Sequence, residues 1–186
     1  MAQQAIWVHG NAVRPEWVGE NLARVIGGRW DETAGEVPCS EINGLPRGWG
    51  TTYRGRASHA ETATGAMMDA DAKPYWFHFS IPTPVITDGK RAALQRVFVL
   101  WRANPDVSPV ALHVYDGGRR IAEFAIDGDE SGRNGLGGDD DLVDGVTQFD
   151  LLLPRAVQFG LGISLSFRFR ADGDVTFFAA GAQLSR

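Results

Sequence analysis

Leu161-Gly162-Ile163-Ser164-Leu165-Ser166-Phe167-Arg168-Phe169-Arg170 has the pattern of a β-strand with one face buried. Ile163, Leu165, Phe167 and Phe169 fall on every second position, and Ser164, Ser166, Arg168 and Arg170 fill the positions between them. Successive side chains of a strand point to opposite faces, so the alternation makes one face apolar and leaves the other wet. A helix would scatter the same four apolar residues around its circumference.

Outward from this stretch the same short alternation recurs along the chain. It predicts strands near 5–9, 22–27, 49–54, 75–81, 95–102, 109–115, 120–127, 148–153, 161–170 and 174–184. Asp116-Gly117-Gly118 and Ala171-Asp172-Gly173-Asp174 have the composition of tight hairpin turns, the second joining the last two strands. Pro82 and Pro84 end the strand before them, since proline cannot donate to a ladder. Strand 95–102, with Val97, Phe98, Val99, Leu100 and Trp101, is apolar on both faces, as suits a central strand whose outer side is partly sheltered. Many short strands, few helices and 23 glycines point to an all-β fold, an antiparallel sandwich of the jelly-roll kind. With 186 residues, no repeat period and no linker, residues 1–186 form a single domain.

Two segments depart from the strand pattern. Residues 56–74 are rich in alanine, threonine and aspartate, and Ser58 with Glu61 has the spacing of a capping box, which predicts a short helix. Residues 127–145 are acidic and glycine-rich, and read as a long surface loop. They hold Asp127, Asp129, Glu130, Asp139, Asp140, Asp141 and Asp144 against Arg133 alone. Of the net charge of −5 this segment carries more than the whole, and the remainder of the chain is slightly basic.

An acidic chain with a pI near 5.3 is a poor partner for phosphates, so nucleic acid is excluded. No apolar run approaches the length that spans a bilayer, and no membrane partner is expected. The N-terminal Met-Ala-Gln-Gln lacks the basic and apolar regions of a signal peptide, which points to the cytoplasm. The single cysteine, Cys39, rules out an internal disulfide and suits a reducing compartment.

Several blocks, in order along the chain, resemble a family of uncharacterised bacterial and fungal β-sandwich proteins. They are Trp7-Val8-His9-Gly10-Asn11, Gly48-Trp49-Gly50-Thr51-Thr52-Tyr53-Arg54-Gly55, Trp76-Phe77-His78 with Ile81-Pro82-Thr83-Pro84-Val85, His113-Val114-Tyr115-Asp116-Gly117, Gly160-Leu161-Gly162-Ile163-Ser164 and Ala179-Ala180-Gly181-Ala182. The resemblance implies the fold and supplies no chemistry, because the family's function is unknown. It also implies that residues 56–74 are an insertion, since its members carry a short connection there.

Candidate sites come from two patterns. If Phe77, Phe79 and Ile81 face the core, Trp76, His78 and Ser80 face away from it. By the same parity, His113 and Tyr115 lie opposite Val110, Leu112 and Val114. Trp7 with His9, and Trp49 with Tyr53 and Arg54, repeat the theme near the N-terminus. An aromatic and imidazole face suits a flat amphipathic ligand, apolar or sugar-like, or a protein partner. The plain alternative is that these are packing residues, because six tryptophans must be housed somewhere. A further reading is a cofactor-free isomerase, cyclase or lyase, with His78 or His113 as general acid–base and Arg54 or Tyr115 as electrostatic partner.

The second pattern is Asp127-Gly128-Asp129-Glu130-Ser131-Gly132, which matches the opening of a calcium loop with Asp127, Asp129 and Ser131 as oxygen donors. The match then fails, because Gly138 stands where the bidentate glutamate belongs. A solvated acidic loop is the better reading, and no cofactor is expected. No pair among His9, His59, His78 and His113 has His-x-His spacing, and no Gly-x-Ser-x-Gly or phosphate-cradling loop occurs. Sheet edges of a sandwich invite pairing, which keeps a homodimer in view.

Overall fold

Residues 161–169 form a strand with Ile163, Leu165, Phe167 and Phe169 buried, as their alternation requires. The computed structural model describes residues 3–16, 22–25, 36–37, 50–57, 60–61, 67–68, 74–87, 89–126 and 143–185. In chain order the strands are β1 (Gln3–His9), β2 (Arg14–Pro15), β3 (Leu22–Val25), β4 (Glu36–Val37), β5 (Thr51–Gly55), β6 (Ala60–Glu61), β7 (Met67–Met68) and β8 (Tyr75–Ile81). They continue as β9 (Ile86–Thr87), β10 (Lys90–Arg91), β11 (Ala93–Ala103), β12 (Val107–Asp116), β13 (Arg119–Ala125), β14 (Val143–Ala156), β15 (Leu161–Phe169) and β16 (Gly173–Ser185).

Two sheets pack face to face. The first runs β14-β11-β16-β5-β3-β4, with β1 also on β16, and the second runs β13-β12-β15-β8-β2. Pairing is antiparallel throughout the long strands. The chain starts in the first sheet at β1, touches the second at β2 and runs through β3, β4 and β5 in the first. It then crosses to the second at β8 and returns to the first at β11. Strands β12 and β13 lie in the second sheet, β14 in the first, β15 in the second and β16 in the first. The orders β1-β16-β11-β14 and β8-β15-β12-β13 that result are the interleaving of a jelly roll.

One turn is thereby corrected. Residues 171–174 do not close a hairpin, because β15 and β16 lie in different sheets and the turn carries the chain across the sandwich. Turn chemistry fixes a reversal of direction but not which strands pair, and both edges of β15 are already taken by β8 and β12. The turn at Gly117, where φ is 58°, does close a hairpin between β12 and β13.

Strand β16 organises the first sheet. One edge pairs with β11 along its length. The other is shared: Gly173–Phe177 pair with β5, and Ala179–Ser185 pair with β1. At the joint the register slips, so that Trp101 faces Phe177 and Leu100 faces Ala179, with Phe178 left over as a β-bulge. The bulge reverses the phase of the strand. Val175 and Phe177 point into the core before it, and Ala180, Ala182 and Leu184 after it.

Gly10 and Gly50 both lie against the Phe177 carbonyl, so close that a Cβ on either would collide with it. The inward ring of Phe177 sits 4.7 Å from Phe77, 5.5 Å from Phe79, 5.6 Å from Phe167 and 6.5 Å from Tyr53, mostly edge to face. Three of those four rings belong to the opposite sheet. Trp101 joins them, its indole Nε1 donating to Thr147 Oγ1 at 2.9 Å.

At the other end of β15 a carboxylate holds two connections together. Asp116 is buried and accepts from the backbone N–H groups of Gln158 (2.8 Å), Phe159 (2.7 Å) and Gly160 (3.1 Å). Burial by itself raises its pKa, but the three amides and the Arg91 charge outweigh burial and hold it below the ordinary carboxylate range.

The short helix expected after Ser58 is not what forms. Ala60–Glu61 pair with Met67–Met68 as antiparallel strands, while Ser58 lies outside the described residues. A helix this short would leave most of its backbone groups unpaired, whereas a hairpin pairs them locally. Strand β14 begins at Val143, so the last three residues of the acidic segment belong to a ladder with β11. Among the described residues no helix is long and apolar enough to cross a membrane.

Removing the Phe177 ring is expected to cost about 3–5 kcal/mol, the usual range for a buried phenylalanine truncated to alanine. Gly10→Ala, which adds one methyl against backbone that cannot retreat, should cost about 1–3 kcal/mol. Urea unfolding checks both, and an unchanged midpoint in either variant would contradict the packing at the joint.

Candidate functional site

In the second sheet β15 lies between β8 and β12, and the register sets Ser164 opposite His78 on one side and His113 on the other. Phe77, Phe79, Leu112, Val114, Ile163 and Leu165 are buried on the inner face. The pleat therefore turns Trp76, His78, His113, Tyr115, Ser164 and Ser166 to the outer face. Four residues singled out in the sequence thus share one surface.

The contacts on that surface are close. His78 Nδ1 lies 2.7 Å from Ser164 Oγ. The Trp76 ring reaches across β15 to lie 4.4 Å from the His113 ring, tilted by 36°. Only small side chains beneath it permit that reach, which explains serine rather than a larger residue at 164 and 166. Ser166 is fully buried and binds both the N–H (3.1 Å) and the C=O (3.3 Å) of Ala111, pinning the bulge where Pro109 interrupts the ladder. His113 Nε2 lies 3.4 Å from Glu123 Oε1, and the Tyr115 hydroxyl lies 3.5 Å from His113 Nδ1. Arg120 holds Glu123 from the far side at 3.1 Å.

Burial lowers the pKa of His78, and the charge of Glu16 opposes that shift without cancelling it. Its imidazole is therefore neutral at pH 7. Glu16 is brought near by its backbone N–H, which donates to the Trp76 carbonyl at 2.8 Å. Ser164 is only 4% exposed, so its hydroxyl serves as a tie for His78 and not as a group open to substrate. Further along β15, Arg168 continues the outer face, and its buried Nε has no hydrogen-bond partner among the described residues.

The other candidates lie elsewhere. Trp7 and His9 sit on the outer face of the first sheet, their rings 4.9 Å apart, on the far side of the sandwich from Trp76. There Gly181 leaves room for Phe98 and Trp7 to close over β16. Arg54 is also on the first sheet, bound by two hydrogen bonds of 2.8 and 2.9 Å to Asp174. It cannot act as the electrostatic partner of His78 or His113, since the neighbouring Tyr53 fills the core and turns Arg54 away from the second sheet. Trp49, Asp127, Asp129 and Ser131 lie outside the described residues. Among the described residues no group of three or more histidine, cysteine, aspartate or glutamate side chains gathers as a metal site.

Sequence reasoning missed Ser164, Ser166, Glu123 and Arg168. The signal for three of them was in the opening stretch, whose wet face is Ser164, Ser166 and Arg168; what was missing was the identity of the neighbouring strands.

Residues 51–175 match a family described as a family of unknown function (DUF6623). The chain belongs to that family. The matched span takes in Trp76, His78, His113, Tyr115, Glu123 and Ser164, while Trp7 and His9 precede it. No curated protein matches the chain in sequence.

A histidine with a lowered pKa binds fewer protons when folded than when unfolded, so its protonation on acidification works against the fold. The contribution is intact at neutral pH and is lost as pH falls below the ordinary histidine value of about 6.5. His78→Gln is therefore expected to lose less melting temperature than the wild type between about pH 7.5 and 5.5. Equal losses in the two proteins, followed by calorimetry, would contradict the assignment.

Proposed function

We propose that the protein is a binding module whose working surface is the outer face of the second sheet, and that its ligand is a small, flat, hydroxylated molecule of the sugar class. The observation that carries this reading is the contact of Trp76 with His113 across β15, beside the His78–Ser164 pair. The indole and the Tyr115 ring offer apolar surface on which a sugar's C–H face stacks. Around them, His78, His113, Glu123 and Arg120 offer donors and acceptors that a purely apolar ligand would leave unpaired.

A second reading draws on His78. A half-exposed imidazole held neutral beside a hydroxyl suits proton transfer, as in a cofactor-free isomerase, cyclase or lyase. The buried position of Ser164 favours binding over catalysis, because the hydroxyl is already committed to the imidazole.

Thermal melting against a panel of mono- and disaccharides tests the proposal. A ligand present at about 100 times its Kd adds about 2.7 kcal/mol of stability, or about 5–10 °C in a chain of this size. The shift is expected to disappear in Trp76→Ala and to persist in Trp7→Ala, which alters the opposite sheet. A shift that survives Trp76→Ala, or no shift with any saccharide, would overturn the sugar-binding reading. Product analysis of the same mixtures separates turnover from binding.

A further inference from the structure

Five large apolar side chains are exposed among the described residues, and four of them, Ile86, Leu152, Leu153 and Phe159, gather at one end of the sandwich. Strand ends define that end. Ile81 pairs with Leu161, Asp116 with Leu161 and Arg119, and Ala93 with Ala156 and Ser185. The β9–β10 hairpin carrying Ile86 follows Ile81, and the β14–β15 crossover carrying Phe159 precedes Leu161.

These tips are held in place by the fold. Phe159 belongs to the three-residue turn whose amides are clamped by Asp116, and its side chain sits over Gly117. Leu152 and Leu153 lie on an arch in β14. Asp150 is opposite Arg96 and Arg155 is opposite Leu94, so Leu151–Pro154 face Gln95 alone; Leu151 packs against the core while Leu152, Leu153 and Pro154 are exposed. The Arg96–Asp150 ion pair fixes one foot of that arch.

Cations surround the tips. Lys90, Arg91, Arg119 and Arg155 are exposed at the same end, and Lys90, Arg119 and Arg155 make no ion pair or side-chain hydrogen bond among the described residues. The nearby described carboxylates are spoken for: Asp116 by three amides, Asp150 by Arg96 and Glu123 by Arg120. The strand ends that bracket the acidic segment, Ala125 and Val143, are at the opposite end, where they pair with Ala111 and Ala103.

We infer that this end is a docking surface for an anionic lipid bilayer, with Leu152, Leu153, Phe159 and Ile86 entering the interfacial layer and Lys90, Arg119 and Arg155 meeting the headgroup phosphates. Separate tips on a hairpin, a strand arch and a crossover suit a fluid interface, which accepts protrusions without a matching contour. Exposed cations that make no ion pair among the described residues select anionic headgroups. The expectation of no membrane partner rested on the want of a spanning segment, a criterion that bears on crossing a bilayer and not on resting against one.

The test is co-sedimentation of the full chain with vesicles of phosphatidylcholine alone and with vesicles containing about one-third phosphatidylserine, at low and high salt. Binding is expected to the second kind only, and to weaken as salt rises. Replacing Lys90, Arg119 and Arg155 by glutamine should weaken it about 100-fold, at about fivefold per charge. Leu152→Ser, Leu153→Ser and Phe159→Ser together should abolish it, with the melting temperature unchanged because all three side chains are exposed in the native state. Failure to sediment with anionic vesicles at low salt would overturn the inference, as would undiminished binding by the triple serine variant. A salt-sensitive dimer that forms in solution and that vesicles do not disturb would overturn it too, assigning the end to a second copy of the chain.

Discussion

One strand serves three neighbours, and the arrangement holds only because of what happens at Phe177. β16 gives a whole edge to β11 and divides the other between β5 and β1. Two strands meeting end to end on one edge need room at the joint, and Gly10 and Gly50 provide it by bringing bare backbone against the Phe177 carbonyl. The bulge that follows lets β16 present Phe177 to the core on one side of the joint and Ala180, Ala182 and Leu184 on the other. Without that change of phase the second half of the strand would face its apolar residues to solvent.

The candidate site depends on this arrangement indirectly. Phe177 reaches Phe77, Phe79 and Phe167 on β8 and β15, and so fixes the inner face of the second sheet. Once that face is fixed, the pleat determines the other. Trp76 and His78 must then stand outward beside Ser164 and Ser166, with His113 across from them. A core contact on one side of the sheet thereby positions polar chemistry on the other.

The long strands were legible in the sequence, because each announces its period locally: β8, β12 and β15 fall where alternation puts them. The two-residue strands β2, β4, β6, β7, β9 and β10 are too short to show a period. The jelly-roll interleaving rests on pairings between distant segments, which is why the turn at 171–174 read as a hairpin when it is a crossing between sheets. Bulges add a second loss, since one extra residue at Phe178 or Gln95 inverts a parity that simple alternation carries through. The same limits govern the site. His78 and His113 were visible as outward residues, but their shared neighbour Ser164 was not, because nothing local shows that β15 lies between β8 and β12. Arg54 looked available because its partner Asp174 is 120 residues away, in a strand that only the fold brings beside it. Trp7 carried the same local pattern as Trp76 and lies on the other sheet for the same reason.

The central claim is that the face built by β8, β15 and β12 takes a ligand as one unit. Imidazole resonances in nitrogen-15-labelled protein test it most directly, because the fold supplies an internal control. On titration with saccharide, the ring nitrogens of His78 and His113 are expected to move together and saturate at the same concentration. His9, on the opposite sheet, should stay where it was. Movement of His9 alone, or different saturation of His78 and His113, would contradict a single binding face.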